Sequence, residues 1–350
     1  MEARKRFMSI DLTKLPDPPR PSYTFTLFSR DLFEKSKYKN YDSLLKSKLS
    51  RSQARVSHLA SIFGNGNSIG ANGNLTSKSA DVKVPETTST HYINGEYVAS
   101  FTIGGEQIKS YLLIDTGSDL IWWQCKPCTE GDVTIKMILY IMKDQTSGDA
   151  SFSHEYAGIA GLGRRVLTGG YSLPSQFLAD IMSMCLPGLY SGSATISFHT
   201  TPFDQRISAE ILPNPAYPYL YFINLYKLFI NNKEIPLNPS IRNFRNDIDG
   251  GRVVDTGTIL TTFPRDLYNV FRDTFRKKVQ DFPLVDDPTG GSDTCYKVDP
   301  GVSPHFPNVL MYFSNEDLDN VLIPSQQRVV FLVRGLFCLA LVRGMNASQL

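Results

Sequence analysis

The chain has 350 residues, of which 41% are apolar and 20% are charged, and its formal net charge is +2. This length is sufficient for a sizeable core and is typical of two domains or lobes. The small net charge argues against nucleic acid as a partner. The 17 Tyr and 21 Phe, together with many Val, Ile and Thr, favour a mainly β protein.

Neither the start of the chain nor its longest apolar stretch has the pattern of a membrane-spanning or signal segment. The start of the chain, MEARKRFMSIDLTKLPDPPRP, is basic but lacks the apolar run of a secretory signal, so no signal peptide is visible. The longest apolar stretch, VVFLVRGLFCLALV (329–342), is interrupted by Arg334 and Gly335. We therefore expect two strands there and no membrane span.

A basic segment precedes the body of the protein. Residues 30–63 carry eight Lys or Arg against three Asp or Glu. Apolar residues recur there at helical spacing, at Leu45, Leu49, Val56, Leu59, Ala60 and Phe63. The segment is either a solvated amphipathic helix or an inhibitory pro-segment whose cations cover an acidic cleft. We assign 1–63 as a pro-segment-like region and 64–90, rich in Gly, Asn, Ser and Thr, as a flexible linker open to proteolysis.

The sequence after the linker is typical of strands and hairpins, with polar and apolar residues alternating between glycine turns. Helices are predicted over 172–182 and over 264–280, where Pro264 suits a first helical position.

An aspartate motif occurs twice in this β region. YLLIDTGS (111–118) and VVDTGT (253–258) each place Asp-Thr-Gly and a hydroxyl directly after an aliphatic strand, so that Asp115 and Asp255 lie 140 residues apart. Two Asp-Gly turns at strand ends are the purely structural alternative. The repetition favours a functional pair instead.

Two carboxylates within hydrogen-bonding distance cannot both ionise, so they share one proton. The ionised member then takes a proton from a trapped water, and the protonated member donates to a carbonyl oxygen as that water attacks. We expect supporting roles for the flanking residues: glycines for close backbone approach, threonines that lock the two loops together, and hydroxyls that orient the carboxylates. These residues are Thr116, Gly117, Ser118, Thr256, Gly257 and Thr258.

The cysteine count is odd, so disulfides, which we favour over a metal or redox site and which imply an oxidising compartment, leave at least one thiol over. The five are Cys125, Cys128, Cys185, Cys295 and Cys338. Cys125-Lys-Pro-Cys128 matches half of a zinc-site pattern, but no second CxxC or HxxxH follows, and a redox CxxC would need a βαβ setting that the surrounding sequence does not provide. We therefore expect no metal. The sequons at Asn74 and Asn346 are consistent with secretion.

The combined motifs resemble those of the pepsin-like aspartic endopeptidases, in particular the nepenthesin-like branch of plants. The resemblance runs from about 93 to 342 and is carried by GEYVASFTIG (95–104), LIDTGSDLIWWQCKPC (113–128), AGIAGLGR (157–164), SLPSQF (172–177), YFINLYKLFINNKEIPL (221–237), GGRVVDTGTILTTFP (250–264) and DTCY (293–296). It implies a bilobal, mainly β fold with one catalytic Asp loop in each lobe, at 91–212 and 213–350. It also implies hydrolysis of peptide bonds by a water activated between Asp115 and Asp255, without a cofactor.

The same resemblance assigns further roles. AGIAGLGR implies a strand that braces the first Asp loop, which gives Ile159 and Gly161 supporting roles, and Cys295 and Cys338 lie where a disulfide is expected. SRSQARVSHL (50–59) is similar to the end of the family's pro-peptide, which implies a zymogen. Protein or peptide substrates, a monomeric state and a secreted or vacuolar location are also implied.

Three departures from the family pattern keep a second interpretation open. TEGDVTIKMILYIMK (129–143) contains no tyrosine flap motif, IGGEQ (103–107) replaces IGTPP, and no second hydrophobic-Gly bracing strand precedes Leu350. We therefore expect an internally shortened first lobe and a second lobe truncated at its end. The alternative is an impaired or inactive homologue, acting as a binding or inhibitor-type module or as a non-functional fragment.

Other hydrolase classes are not supported. Two DTG motifs in one chain argue against a retroviral-type protease built from two chains, and the sequence contains neither HExxH nor a GxSxG elbow.

Overall fold

Most of the secondary structure in the described part of the chain is strand, as predicted. The computed structural model describes residues 23–34, 37–65, 96–103, 108–124, 140–142, 158–166, 171–186, 194–199, 208–239, 252–287, 290–314, 321–324, 329–333 and 336–344. The helices within them are α1 (Asp31–Glu34), α2 (Tyr41–Asn65), α3 (Leu173–Gln176) and α4 (Arg265–Lys278).

The strands follow in chain order. They are β1 (Tyr23–Ser29), β2 (Tyr97–Ile103), β3 (Ile108–Asp115), β4 (Ile121–Gln124), β5 (Tyr140–Met142), β6 (Gly158–Gly161), β7 (Met182–Met184), β8 (Ala194–Phe198), β9 (Phe222–Ile223), β10 (Lys227–Ile230), β11 (Lys233–Ile235), β12 (Arg252–Val253), β13 (Thr261–Phe263), β14 (Leu284–Val285), β15 (Cys295–Lys297), β16 (Val309–Tyr312), β17 (Val321–Leu322), β18 (Val330–Val333), β19 (Leu336–Leu339) and β20 (Leu341–Arg343).

The N-terminal lobe is built on one 8-stranded sheet, in the order β5-β4-β6-β3-β2-β1-β8-β7. Strand β1 comes from the N-terminal segment and lies antiparallel between β2 and β8. Its side chains join the lobe's core, where the Phe25 ring packs 4.7 Å from that of Phe101 and edge-on to that of Phe198. The N-terminal segment therefore contributes a central strand as well as a helix, and the strand was not predicted from sequence.

The C-terminal lobe has several smaller sheets, with strand orders β11-β10-β16-β17, β12-β9, β13-β20 and β14-β15-β19-β18. Its core surrounds α4, which buries Leu267, Phe271 and Phe275 on one face. This spacing of four residues places the three side chains on the same side of the helix.

The two helix predictions had different outcomes. The helix predicted over 264–280 is α4, and Pro264 is its N-cap, one position earlier than expected. The helix predicted over 172–182 is wrong beyond Gln176. Leu178 there has φ 52°, a left-handed conformation that ends a helix, and the chain then enters β7, which pairs with β8.

The apolar stretch 329–342 forms strands, as predicted, but it contains β18, β19 and the start of β20, where two strands were predicted. Strands β18 and β19 pair antiparallel on either side of Arg334 and Gly335, which lie outside the described residues. Among the helices described, none has the length and apolar character needed to cross a bilayer.

Candidate active site

The first predicted aspartate lies at the end of a buried strand. β3 pairs in parallel with β6, and Asp115 is in register with Gly161, while the Leu162 N–H donates to the Asp115 carbonyl at 2.7 Å. A Cβ on Gly161 would lie 2.5 Å from the Leu120 carbonyl oxygen, so the close approach of this strand requires glycine. Ile159 lies on the same strand, β6, beside the first Asp loop.

Two donors from its own loop hold the Asp115 carboxylate. The Gly117 N–H donates to Oδ1 at 2.9 Å, and the Ser118 hydroxyl donates to Oδ2. The side chain is 7% exposed, so these bonds replace most of its solvation.

The second loop repeats this geometry. The Gly257 N–H donates to Asp255 Oδ1 at 2.9 Å, and the Thr258 hydroxyl donates to Oδ2 at 2.7 Å. The preceding strand, β12, pairs antiparallel with β9, and the Val254 N–H donates to the Tyr221 carbonyl at 2.9 Å. Within the ranges described, no strand pairs in parallel with β12 as β6 does with β3.

Reciprocal hydrogen bonds join the two loops. The Thr116 N–H donates to Thr256 Oγ1 at 3.1 Å, and the Thr256 N–H donates to Thr116 Oγ1 at 2.8 Å. The Thr116 hydroxyl in turn donates to the Val254 carbonyl at 3.3 Å. This exchange places residues 140 positions apart in direct contact and brings the two carboxylates to one point between the lobes.

The glycines of both motifs face this point. A Cβ on Gly117 would lie 2.9 Å from Asp255 Oδ1, and a Cβ on Gly257 would lie 3.0 Å from Asp115 Oδ1. Each glycine therefore leaves room for the carboxylate of the opposite loop.

Arg55 of α2 lies between the two carboxylates. Its Nη2 is 2.9 Å from Asp115 Oδ1, and its Nε is 3.1 Å from Asp255 Oδ2. The Arg55 side chain is 19% exposed, and that of Asp255 is 3% exposed. One guanidinium thus bridges both predicted catalytic groups. The sequence predicted cations over an acidic cleft but did not single out this residue.

These surroundings separate the pKa values of the two carboxyls. Burial, together with the neighbouring Asp255 carboxylate, raises the pKa of Asp115 to about 6 despite Arg55. Burial acts in the same direction on Asp255, but Arg55 and the Thr258 hydroxyl outweigh it and hold the pKa of Asp255 below its ordinary value. Burial also opposes the charge of Arg55, but the two carboxylates outweigh it and keep the Arg55 pKa above its ordinary value.

Further ion pairs anchor α2 and the strand before it. Lys48 pairs with Asp31 of α1, and Glu96 accepts hydrogen bonds from both Arg51 and Arg30, the latter at 3.1 Å. All of these side chains are at most 13% exposed. Arg30, Lys48, Arg51 and Arg55 therefore make buried contacts, while Lys37, Lys39 and Lys46 remain exposed, so the solvated-helix interpretation is excluded only for the face of α2 that carries Lys48, Arg51 and Arg55.

The opposite lobe supplies an apolar contact for the same helix. Leu45 and Leu49 pack against Leu260 and the disulfide between Cys295 and Cys338. The Ser52 hydroxyl accepts a hydrogen bond from the Ile259 N–H at 3.2 Å, next to the second Asp loop.

Sequence reasoning missed the tyrosines that connect the lobes behind the site. The Tyr221 hydroxyl donates to the Leu162 carbonyl at 2.8 Å, and the Arg164 N–H donates to the Tyr219 carbonyl at 2.6 Å. Tyr221 thus contacts the brace of the first loop through its side chain and the second loop through its backbone. Local sequence gives no signal for such a contact between segments.

Several sequence predictions lie outside the described residues. These are Cys125, Cys128, the sequons at Asn74 and Asn346, and the region examined for a flap except β5. Cys185 is an exposed free thiol.

Comparison with known proteins agrees with this geometry. Two family models match, described as xylanase inhibitor N-terminal over 97–149 and xylanase inhibitor C-terminal over 220–350. Aspartic proteinase nepenthesin-1 of Nepenthes gracilis is 24% identical over 324 residues, covering 73% of this chain and 72% of its own length. The chain belongs to the pepsin-like aspartic protease family, in its nepenthesin-like branch.

Other members of this family give the same result. Protein ASPARTIC PROTEASE IN GUARD CELL 2 of Arabidopsis thaliana is 25% identical over 379 residues, covering 86% of this chain and 77% of its own length. The crystal structure of edgp is similar with a TM-score of 0.60 and 18% identity, covering 73% of this chain and 84% of that one. At this identity the structural likeness establishes the bilobal pepsin-like fold.

Proposed function

We propose that the protein is an aspartic endopeptidase whose catalytic dyad is Asp115 and Asp255, made as a zymogen. The observation that carries this proposal is the convergence of two equivalent Asp loops, locked by Thr116 and Thr256, on one buried point. Substrates are proteins or peptides, as expected from the family of protease relatives.

The proposed chemistry uses a water held between the carboxylates after Arg55 withdraws. Ionised Asp255 takes a proton from this water, and the water oxygen bonds to the carbonyl carbon of the substrate. Protonated Asp115 donates its proton to the carbonyl oxygen. Asp255 then passes its proton to the amide nitrogen as the C–N bond breaks, and one of the two hydroxyls on the carbon returns its proton to Asp115, which yields an acid and an amine and restores the dyad.

The zymogen part of the proposal rests on Arg55. Its guanidinium occupies the place where water and the peptide bond would bind, so substrate cannot reach the dyad while α2 is docked. Acid protonates the carboxylates, removes their attraction for Arg55 and favours release of α2. The buried disulfide and the usual location of plant aspartic proteases support a secreted or vacuolar location.

The decisive experiment is cleavage of a denatured globular protein by the full chain as a function of pH. We expect turnover in acid, blocked by a transition-state-analogue inhibitor of aspartic proteases and lost in Asp115→Asn. Equal cleavage by the wild type and Asp115→Asn would show that the dyad is not responsible. Tight inhibitor binding without turnover would instead support the non-catalytic binding module.

A further inference from the structure

The strands around the two aspartate loops correspond between the lobes. Residues of the second loop are numbered 140 higher than their counterparts in the first, as for Thr116 and Thr256. The strand after each loop, β4 or β13, pairs in parallel with β5 or β20. The strand before each loop, β3 or β12, pairs antiparallel with β2 or β9. The two lobes therefore arrange these strands in the same way around their aspartates.

One place in this arrangement is filled in the first lobe only. There, β6 lies between β4 and β3, antiparallel to the former and parallel to the latter. In the second lobe, among the described strands, β13 pairs with β20 alone and β12 pairs with β9 alone. The corresponding edges of β12 and β13 therefore border a place for one further strand, which we call the β12–β13 slot.

The backbone carbonyls of the second loop also lack the donors that accompany β6 in the first. The Leu162 N–H, directly after β6, donates to the Asp115 carbonyl at 2.7 Å, and the Gly163 N–H donates to the Ser118 carbonyl at 2.8 Å. The matching carbonyls of the second loop accept no N–H from another segment within the described ranges. A strand in the β12–β13 slot supplies such donors.

An exposed aliphatic side chain lies at the same place. Val254, directly before Asp255, is 49% exposed. Its counterpart Ile114 is 1% exposed and lies in register with Ala160 of β6. Because β6 covers this position in the first lobe and no described strand covers it in the second, the slot offers apolar surface as well as backbone hydrogen-bonding groups.

The first lobe also indicates which sequence fits such a slot. A Cβ on Gly161 would lie 2.5 Å from the Leu120 carbonyl oxygen, and a Cβ on Gly163 would lie 2.7 Å from the Ser118 carbonyl oxygen. A strand that approaches an aspartate loop this closely therefore needs glycine at two alternating positions. Small and aliphatic residues fill the positions between and before them, as in AGIAGLG (157–163).

This pattern identifies the origin of the occupant. Gly-apolar-Gly occurs once in the full sequence, at 161–163, where it already braces the first loop. We propose that the β12–β13 slot is a docking site for an extended strand of a separate polypeptide with the glycine and aliphatic pattern of AGIAGLG, parallel to β12 and antiparallel to β13. This strand adds to the sheet through backbone hydrogen bonds and covers Val254. Docking is a property of the sheet and does not rest on the proposed proteolysis.

Peptide binding to the full chain tests the proposal. The probe is a fluorescein-labelled peptide, Ala-Gly-Ile-Ala-Gly-Leu-Gly with two lysines at each end for solubility, and its affinity is measured by fluorescence polarisation at pH 7. The matched control peptide has valine in place of the last two glycines. The control is the more apolar peptide, so non-specific association favours it. We expect the glycine peptide to bind about tenfold more tightly, because a Cβ in place of either glycine hydrogen meets a carbonyl oxygen.

A substitution in the slot locates the bound peptide. Val254→Lys places a charge where the strand packs, and we expect binding of the glycine peptide to be lost. Val302→Lys is the matched control, because Val302 is 50% exposed and lies in another part of the lobe, and binding should be unchanged. If Val254→Lys does not fold, hydrogen exchange of the wild-type chain replaces it: the bound peptide should slow exchange at both β12 and β13.

Three results would overturn the docking site. They are equal or weaker binding of the glycine peptide relative to the control, no binding at all, and binding that leaves exchange at β12 and β13 unchanged. No binding by a chain that sediments as a dimer assigns the slot to a second copy instead. Cleavage of a protein substrate without peptide docking refutes the docking site alone. Docking at Val254 in a chain that never cleaves refutes the protease function alone.

Discussion

Arg55→Ala removes the cation that bridges the two aspartates and leaves the rest of α2 intact. Nη2 and Nε of Arg55 lie 2.9 and 3.1 Å from the two carboxylates, and these carboxylates are 7% and 3% exposed. After the substitution, the dyad has no cation in this position. It then takes up a proton more readily, because two close carboxylates do not both ionise.

The magnitude follows from the burial of the pair. Removing one partner of a buried ion pair costs about 3–5 kcal/mol. The Arg55 side chain is 19% exposed, so we expect the lower end of that range, about 3 kcal/mol. Each 1.4 kcal/mol is about tenfold in an equilibrium constant, so docking of α2 weakens by about 100-fold. The ion pairs of Lys48 and Arg51 and the packing of Leu49 keep part of the docking energy.

Two assays follow this loss. Amide hydrogen exchange at pH 7 reports the protection of α2, and peptide cleavage at pH 6 reports access to the dyad. Lys46→Ala is the matched control, because Lys46 is an exposed cation on the same helix. We expect faster exchange in α2 and earlier cleavage for Arg55→Ala only. If Arg55→Ala and Lys46→Ala both behave as the wild type in exchange, the bridging role of the guanidinium is wrong.

Three further predictions concern the segment and the lobe that it covers. The attraction between Arg55 of α2 and the two carboxylates is present above about pH 7. It falls as Asp115 takes up a proton near its pKa of about 6, and it is lost in stronger acid when Asp255, whose pKa is lowered from 3.8, is also protonated. Amide hydrogen exchange in α2 therefore changes with pH in two steps, and a single step would contradict the two pKa directions. Lys48→Met leaves Asp31 buried without its cation and lowers the free energy of unfolding, measured by urea unfolding, by about 3 kcal/mol. The double variant Lys48→Met with Asp31→Leu recovers most of this loss. If the losses of the two single substitutions simply add in the double variant, the pairing is excluded. Replacing Cys295 and Cys338 by serine opens a loop of 43 residues and lowers the free energy of unfolding by about 4 kcal/mol, measured by denaturant titration, and an unchanged midpoint would refute a stabilising role.

Much of the candidate site was accessible from the sequence because its two halves repeat one motif. Asp115 and Asp255 each follow an aliphatic strand and precede Thr-Gly and a hydroxyl, so the orienting bonds from Gly117 and Thr258 are local. Contacts within three residues depend on backbone geometry that the motif itself encodes. A repeated local pattern therefore predicted repeated local hydrogen bonds.

Other features depended on contacts that no local pattern specifies. The helix predicted over 172–182 ends at Gln176, because the following residues turn at Leu178 and pair as β7 with β8. Strand β1 is mostly polar and aromatic in sequence, yet it lies between β2 and β8 because those strands supply its hydrogen-bond partners and core. Tertiary pairing determined both outcomes.

Arg55 shows most clearly what the sequence determines and what it leaves to the tertiary structure. It lies close to Val56 in a helical stripe that includes Leu49 and Ser52, and a cation within such a stripe indicates a buried partner without identifying it. The sequence by itself determined the family, the mainly β fold, the two aspartates and the basic helix, since each is encoded in residues close together in the chain. Only the tertiary structure decided that Arg55 bridges the dyad, that β1 completes a sheet and that Leu49 packs against Leu260 of the opposite lobe. These contacts join residues far apart in sequence, and their partners are fixed by the packing of the whole fold.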